Sequence, residues 1–264
     1  MKRFTLRRPR HVGVLFLALV TALGLSAVAA ADTVGSITFE SPAYTAGSNI
    51  NGQQGWSNTG LYDANVVLVA NYAAASSYGF ADQALQISNS KTSGSFGDQT
   101  FSPGLTAPAG VSPNLAHFTS SFKIGTALAT QQIGLAISVS PDNGQGARMS
   151  YLRFEDQASG VHVFFDEARG ATFKESDIAT LTQGAVHTVA FSIDFTASTS
   201  KAVKITIDGA VKATGSTWQS YYQTQEHNPT PTVSKMLFRA GGTAAPGIVG
   251  NGFLIDNLTL SSSS

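Results

Sequence analysis

Short runs in which apolar and polar residues alternate recur along most of this chain, separated by clusters of Gly, Asn, Asp, Ser and Pro. A period of two places successive side chains on opposite faces of a β-strand, and no segment after the N-terminal region sustains a helical period. The predicted strands are 35–40, 84–88, 117–124, 133–140, 148–156, 161–167, 187–195, 202–208, 210–214, 232–239 and 252–261. This number of short strands suits an all-β fold of two stacked antiparallel sheets.

Three other segments of the chain predict a turn, an irregular region and a short helix. Asp208 and Gly209 separate two predicted strands and favour a tight turn with positive φ, so 201–214 is the most secure hairpin. The segment 41–83 is the least regular and predicts a long ordered loop or a set of short strands. A short helical turn is expected within 174–181.

The first residues have the pattern of a signal peptide. Five basic residues lie within 2–10, the apolar run 12–25 follows, and the small residues 29–31 precede Asp32. Arg7 and Arg8 are followed by Pro9 and lack a typical twin-arginine context, so ordinary secretion is favoured. We therefore expect a signal peptide over 1–31, a secreted or periplasmic protein, and a single mature domain over 32–264.

Composition excludes several classes of partner and site. The chain has no cysteine, its formal net charge is +0, and charged residues make up 12% of it. Disulfides and thiolate metal sites are therefore excluded, and no basic field is present to attract nucleic acid or anionic lipid. After the signal segment no apolar run approaches the roughly 20 residues that span a bilayer. We expect a monomer without an organic cofactor.

Several segments together resemble a known superfamily. They are 37–40 (ITFE), 51–56 (NGQQGW), 187–195 (HTVAFSIDF), 203–209 (VKITIDG) leading to 217–222 (TWQSYY), and 252–258 (GFLIDNL). Together they are similar to secreted bacterial members of the concanavalin A-like lectin/glucanase superfamily. The resemblance implies a jelly-roll sandwich and a polysaccharide or oligosaccharide partner. Lectins, binding modules, hydrolases and lyases all share that fold, so the fold does not select an activity.

The segment 148–167 predicts a hairpin whose register can be read from its apolar residues. Leu152, Phe154, Val163 and Phe165 must share the buried face if both strands contribute to a core. Pairing across the turn 157–160 then places three pairs on the opposite face: Glu155 with His162, Arg153 with Phe164, and Tyr151 with Asp166. This face carries rings, a guanidinium and carboxylates, the groups that glycan recognition and proton transfer both need.

Three functions remain open for this hairpin face. A lectin-like glycan site would use Tyr151, Arg153, Glu155, His162, Phe164 and Asp166, with Trp218 as a cleft wall. A polysaccharide lyase or glycoside hydrolase would use Tyr151, Arg153, Glu155 and His162 as catalytic candidates. The third interpretation is a solvated face of a structural surface protein.

Enzyme motifs give the catalytic interpretation little support. The Glu-x-Asp-x-x-Glu run typical of this superfamily's glucanases is absent, and Glu155-Asp156 and Asp166-Glu167 are adjacent pairs whose members point to opposite faces. Residues 151–155 (YLRFE) resemble the Arg-x-Glu strand of jelly-roll alginate lyases, but 132–134 (QIG) lacks the His of their Gln-Ile-His strand. No Ser-His-Asp spacing, P-loop or His-rich metal motif is present.

Two acids and two tryptophans complete the candidate residues. The resemblance implies a structural Ca²⁺ between the terminal strands, with Glu40 and Asp256 as ligands, although both acids could equally cap strand ends. Trp218 is the better candidate for stacking on a sugar. Trp56 is expected to fill the core.

Overall fold

The computed structural model describes residues 30–94, 98–111, 115–228 and 230–264. The predicted signal peptide therefore lies outside the described residues except for its last two. Among the described residues, no helix is long and apolar enough to cross a membrane.

Two large antiparallel sheets make up most of the structure. Sheet A contains β1 (Asp32–Ile37), β3 (Ala64–Leu68), β4 (Gln83–Ile87), β7 (His117–Thr126), β12 (Val186–Asp194), β13 (Val203–Ile207), β14 (Ala210–Gly215) and β17 (Phe253–Ser263). Sheet B contains β2 (Ser57–Asn58), β5 (Gln99–Phe101), β8 (Ala136–Asp142), β9 (Tyr151–Gln157), β10 (Gly160–Arg169), β11 (Thr172–Leu181) and β16 (Lys235–Ala240). A small third sheet pairs β6 (Ala109–Gly110) with β15 (Thr232–Val233).

The strand order shows crossovers in both large sheets. Sheet A runs β14-β13-β12-β7-β17-β4-β3, with β1 also paired to β17, and sheet B runs β11-β10-β9-β8-β16-β5-β2. The connections include the α-helix α1 (Gln219–Thr224) and 3₁₀ turns at Val69–Asn71, Ala73–Ser77, Thr199–Lys201 and Pro246–Ile248. The predicted two-sheet, all-β architecture is confirmed.

The core lies between the inner faces of the two sheets. Phe118 and Phe122 of β7 are buried on the sheet A side, and Phe154 of β9 is buried on the sheet B side. Trp56 is 2% exposed, and its ring lies 5.6 Å from that of Phe39, so its predicted core position is confirmed. Because the chain has no cysteine, this apolar packing and the strand ladders hold the sheets together.

The hairpin register predicted from apolar alternation is confirmed. Phe154 lies opposite Val163 and Leu152 opposite Phe165, all buried between the sheets. The outward pairs are Glu155 with His162, Arg153 with Phe164, and Tyr151 with Asp166. The Asp208-Gly209 turn also has the expected positive φ angles, 50° and 78°.

The predicted helical turn within 174–181 is wrong. These residues belong to β11, which pairs with β10 from Val161 opposite Leu181 to Arg169 opposite Thr172. β11 is the outermost strand of sheet B and is largely exposed, so it shows little apolar alternation. Pairing with β10 satisfies its backbone and overrides the local helical preference.

Candidate functional site

The candidate site is a cleft at one end of the outward face of sheet B, beside α1. Its central side chain is Trp218, the N-cap residue of α1. The Trp218 Nε1–H donates to the carbonyl oxygen of Asp166 at 3.0 Å, which ties the helix start to β10. The Tyr151 ring stacks on Trp218 with centroids 6.2 Å apart and an angle of 27°.

Two further rings extend this aromatic surface. Phe173 of β11 lies 5.0 Å from Trp218 and 5.3 Å from Tyr221, and Trp218 lies 5.7 Å from Tyr221. Phe173 is 49% exposed although it contacts both neighbours. A half-exposed ring held in place by two others is a preformed apolar surface, which binds a ligand with little loss of side-chain entropy. We call Phe173, Trp218 and Tyr221 the aromatic platform.

The platform forms one wall of a cleft of about 680 Å³. The loop after β8 also lines the cleft. Within this loop the Asp142 Oδ1 accepts N–H groups of Gly144, Gln145 and Gly146 at 2.6–3.1 Å. Tyr222 braces the same loop because its hydroxyl accepts the Arg148 N–H at 3.0 Å, and burial raises the pKa of Tyr222 to about 12. The lining residues are Asn143, Gln145, Gly146, Ala147, Arg148, Asp166, Phe173, Trp218, Tyr221, Tyr222, Glu226 and Asn228.

Asp166 is a carboxyl group of the lining whose pKa is raised. Its Oδ1 is buried and has no hydrogen-bond partner within the part of the chain that the structure describes. Desolvation is the main cause that raises the Asp166 pKa to about 6, and Glu175 adds to it, whereas Arg153 and Arg148 oppose it. Asp166 also lines the cleft, and a carboxylate in that position can accept a hydroxyl from a ligand.

The remaining polar residues of the hairpin face bind one another. The Arg153 guanidinium makes two 3.0 Å hydrogen bonds to Glu175, pairs with Glu155, and lies 4.0 Å from the Phe164 ring centroid. His162 contacts Asp177 rather than the cleft. Burial and the two carboxylates act oppositely on Arg153, and the net effect raises its pKa.

The structure therefore divides the predicted site residues into two groups. Asp166 and Trp218 line the cleft, and Tyr151 stacks on Trp218 behind it. Arg153, Glu155, His162 and Phe164 lie further along the same two strands and contact one another or β11. The four catalytic candidates thus do not gather in one enclosed groove. Sequence reasoning missed Phe173 and Glu226, and the only available signal for Phe173 was an apolar ring within an otherwise polar segment.

The two predicted calcium ligands, Glu40 and Asp256, are within electrostatic range of each other. Asp256 is 1% exposed, and its Oδ1 has no partner among the described residues. Burial raises the Asp256 pKa to about 7, and the nearby Glu40 carboxylate adds to the effect. The Glu40 Oε1 accepts the Gln83 N–H at 3.0 Å.

Carboxylate oxygens are the ligand type that Ca²⁺ takes in proteins. Two carboxylates near one another, one of them with a buried free oxygen, are ligands that Ca²⁺ prefers. No group of three or more His, Cys, Asp or Glu side chains able to hold a metal occurs in the described ranges, so amide, carbonyl or water oxygens would complete the shell. Asp256 also begins the β17 bulge, where Asn257 has a φ of 55°.

Comparison with known proteins identifies the fold. No protein-family model matches the sequence, and no curated protein matches it. Among solved structures, alginate lyase Aly36B has a TM-score of 0.51 at 13% identity, over 86% of this chain and 96% of that one. The fold is a two-sheet jelly-roll sandwich. At this identity the similarity shows the fold alone.

Two further solved structures are similar to this chain at lower scores. The globular domain of T. cruzi calreticulin has a TM-score of 0.48 at 10% identity, over 78% of this chain and 84% of that one. A sialidase has a TM-score of 0.45 at 13% identity and matches 78% of this chain, which spans 17% of the sialidase chain.

Proposed function

We propose that this jelly roll is an exported, lectin-like protein that binds a polysaccharide in the cleft beside α1. The observation that carries the proposal is the aromatic platform, in which Phe173 stays half exposed against Trp218 and Tyr221. Sugar rings present apolar C–H faces to such a surface, and the flanking polar groups supply orientation.

The polar groups of the cleft suit sugar hydroxyls. The Asp166 carboxylate can accept a hydroxyl, and the Gln145 side chain offers a donor and an acceptor. The Asn143 and Asn228 oxygens already accept backbone N–H groups, so these two side chains add amide donors. The charged lining residues are Arg148, Asp166 and Glu226, so the cleft has no excess of positive charge. A neutral glycan therefore fits this cleft better than a polyuronate.

Glycoside hydrolysis is the second candidate function. It is favoured by Asp166 and Glu226 lining the same cleft, with the Asp166 pKa raised to about 6 by burial. A raised pKa suits a general acid, and hydrolysis uses two carboxyl groups on either side of the scissile bond. Glu226 accepts the Tyr221 hydroxyl at 2.7 Å, which holds it at the cleft rim.

One experiment tests both functions. Residues 32–264 are incubated with immobilised neutral polysaccharides such as β-glucan, xylan and arabinan, and with alginate and pectin, while retention and soluble products are measured. We expect retention on a neutral glycan. Phe173→Ala should weaken it by about tenfold or more, since 1.4 kcal/mol of lost binding corresponds to tenfold.

Leu61→Ala provides the matched control, because Leu61 is 78% exposed and does not line the cleft. If Phe173→Ala and Leu61→Ala both bind glycan as strongly as the unmodified protein, the proposed cleft is not the binding site. Product release that disappears in both Asp166→Asn and Glu226→Gln would establish hydrolysis, and retention without product would establish binding alone.

We also propose that a structural Ca²⁺ is held by the carboxylates of Glu40 and Asp256. The support is the buried, partnerless Asp256 oxygen and the proximity of a second carboxylate. The ion would neutralise two like charges and fix the segment after β1 against β17. It takes no part in glycan binding.

A further inference from the structure

A second cluster of reactive side chains lies at the other end of the β9–β10 hairpin. Ser159 is exposed in the turn between these strands, and its Oγ lies 2.7 Å from His162 Nε2. The His162 Nδ1 lies 2.6 Å from Asp177 Oδ2 of β11. His162 is four residues before Asp166 on β10, so this cluster is about 13 Å along the strand from the cleft.

The two hydrogen bonds of His162 determine its tautomer. Because the Asp177 carboxylate can only accept, Nδ1 carries the proton of the neutral ring and Nε2 presents its lone pair to Ser159. Ser159 therefore donates its hydroxyl proton to Nε2. This is the arrangement in which a histidine acts as the general base for a serine and a carboxylate orients the ring.

A β-bulge brings Asp177 to this face. His162 lies opposite Thr180 and Val163 opposite Ala179, but Phe164 lies opposite Asp177, so Ile178 is the extra residue. In an unbroken ladder Asp177 would pair with Phe165 and point towards the core. The bulge instead turns it outward beside His162, and bulges commonly redirect a side chain in this way next to active sites.

Packing holds the other two members in place. The His162 ring stacks on Phe164 with centroids 6.2 Å apart and an angle of 23°, and its side chain is 18% exposed. Gly160 follows Ser159 with a φ of 132°, and a Cβ there would lie 2.6 Å from the Leu181 carbonyl oxygen. Only glycine lets the turn lie this close to the end of β11, with the Ser159 Oγ beside His162 Nε2.

We propose that Ser159, His162 and Asp177 form a nucleophilic centre that hydrolyses short-chain acyl esters. The Ser159 Oγ attacks the ester carbonyl carbon while His162 Nε2 takes its proton. The tetrahedral adduct then expels the alcohol, which receives that proton, and leaves an acyl-serine. Water, deprotonated by His162, then adds to the carbonyl carbon of the acyl-serine and forms a second tetrahedral adduct. Collapse of this adduct releases the carboxylic acid, and His162 returns the proton to Ser159.

The open position of the turn sets the substrate class and the rate. Ser159 is exposed on a two-residue turn, so a small acyl group such as acetyl reaches it without an enclosing pocket. Solvent water then stabilises the developing oxyanion, which is weaker than preorganised donors in a dry site. We expect slow turnover and efficient labelling by a serine-directed fluorophosphonate.

The test measures 4-nitrophenyl acetate hydrolysis and fluorophosphonate labelling of residues 32–264, with the labelled peptide located by mass spectrometry. Ser159→Ala and His162→Gln should abolish labelling and the protein-dependent rate. Asp177→Asn should lower both by at least tenfold, because the ring would lose its fixed tautomer. Each variant should retain glycan binding and unfold at nearly the original temperature.

Two controls exclude general surface reactivity. His117→Gln removes an exposed histidine that lies 3.6 Å from Asp194, and Ser198→Ala removes an exposed loop serine, and both should keep full activity. Full activity of Ser159→Ala, or a label on another residue, would overturn the proposal. Phe173→Ala should lose glycan retention but keep esterase activity. The glycan-binding proposal and the esterase proposal are therefore tested independently.

Discussion

Asp166 and Asp256 each lower the stability of the folded state when they are ionised, and a bound ligand can offset this loss. Each has a buried carboxylate oxygen without a partner in the described part of the chain, and burial raises the pKa of both, to about 6 and about 7. A raised carboxyl pKa means that the folded state holds its proton more tightly than the unfolded state. Ionisation therefore costs stability unless a hydroxyl or a cation approaches the charge.

The Asp166 carboxyl should make glycan binding depend on pH. Its ionised form accepts a hydroxyl, so retention should weaken as pH falls from 7.5 to 5 through a pKa of about 6. Its contribution to stability is complete below pH 3.8 and is lost as pH rises through 6. Asp166→Asn should flatten the binding profile and raise the melting temperature more at pH 7.5 than at pH 5.

Binding isotherms and melting curves from pH 5 to 7.5 check this prediction. Asp194→Asn is the control, because hydrogen bonds from Thr196 lower the Asp194 pKa and place its titration below this range. A binding profile that is unchanged in Asp166→Asn would show that another group titrates.

Asp256 should make the calcium-free protein less stable at higher pH. Its folded pKa of about 7 lies above the usual 3.8, so the stabilisation is complete at low pH and is lost as pH rises through 7. Ca²⁺ should restore the melting temperature at pH 8 because an ion bound only to the native state stabilises it by mass action. Asp256→Asn should remove both effects.

Calorimetry with excess calcium or chelator at pH 5.5 and pH 8 provides the measurement. Asp177→Asn should respond to calcium like the unmodified protein, since Asp177 is 42% exposed and lies on the other sheet. Equal melting temperatures with calcium and chelator at pH 8 would exclude the proposed ion.

At the scale of elements, the inward face of the β9–β10 hairpin contributes to stability and its outward face contributes little. Phe154 is fully buried and packs on Phe253 of the opposite sheet at 6.1 Å, so Phe154→Ala should cost about 3 to 5 kcal/mol through lost burial and a residual cavity. Arg153 lies on the outward face in partly exposed ion pairs, so Arg153→Ala should cost about 1 kcal/mol or less.

Urea unfolding of the two variants compares these costs directly. If Phe154→Ala proved as stable as Arg153→Ala, the assignment of the two faces would be wrong. Arg153→Ala should also leave glycan retention close to normal, because its guanidinium contacts Glu155, Glu175 and Phe164 and does not line the cleft.

At the scale of the whole molecule, β1 begins directly at the predicted cleavage site, Asp32. Asp32 pairs with Ser262 of β17, and its carboxylate accepts the Thr106 hydroxyl at 2.7 Å. This hydrogen bond is the main cause that lowers the Asp32 pKa. Cleavage before Asp32 therefore preserves every strand of sheet A, whereas a start at Thr38 removes β1 and leaves part of β17 without its neighbour.

We expect the exported protein to begin at Asp32. Mass spectrometry of secreted material measures this N-terminus, and a retained 12–25 segment would contradict the signal-peptide prediction. In melting experiments, a chain over 32–264 should unfold cooperatively, and one over 38–264 should melt at a lower temperature. Equal melting temperatures would show that β1 contributes little.

The local sequence pattern was enough to predict strand faces, a turn and a core position. The alternation in 148–167 determined which side of β9 and β10 faces the core, because one-residue slippage would expose Phe154 and its apolar neighbours. Asp208-Gly209 determined its own turn, since the positive φ angles are a property of those two residues. The size and polarity of Trp56 likewise indicated its core position.

Only the tertiary structure decided how the outward side chains of sheet B contact one another and the surrounding loops. β11 is exposed at the sheet edge and has little apolar alternation, so its residues could not be assigned to a strand from the sequence. Because Asp177 lies on β11, the Ser159–His162–Asp177 arrangement could not be found from sequence spacing. The cleft depends on Phe173, Trp218 and the loop after β8 meeting in space. Burial leaves a periodic signal along the chain, whereas contacts between exposed side chains on separate strands depend on pairing and bulges that no local period records.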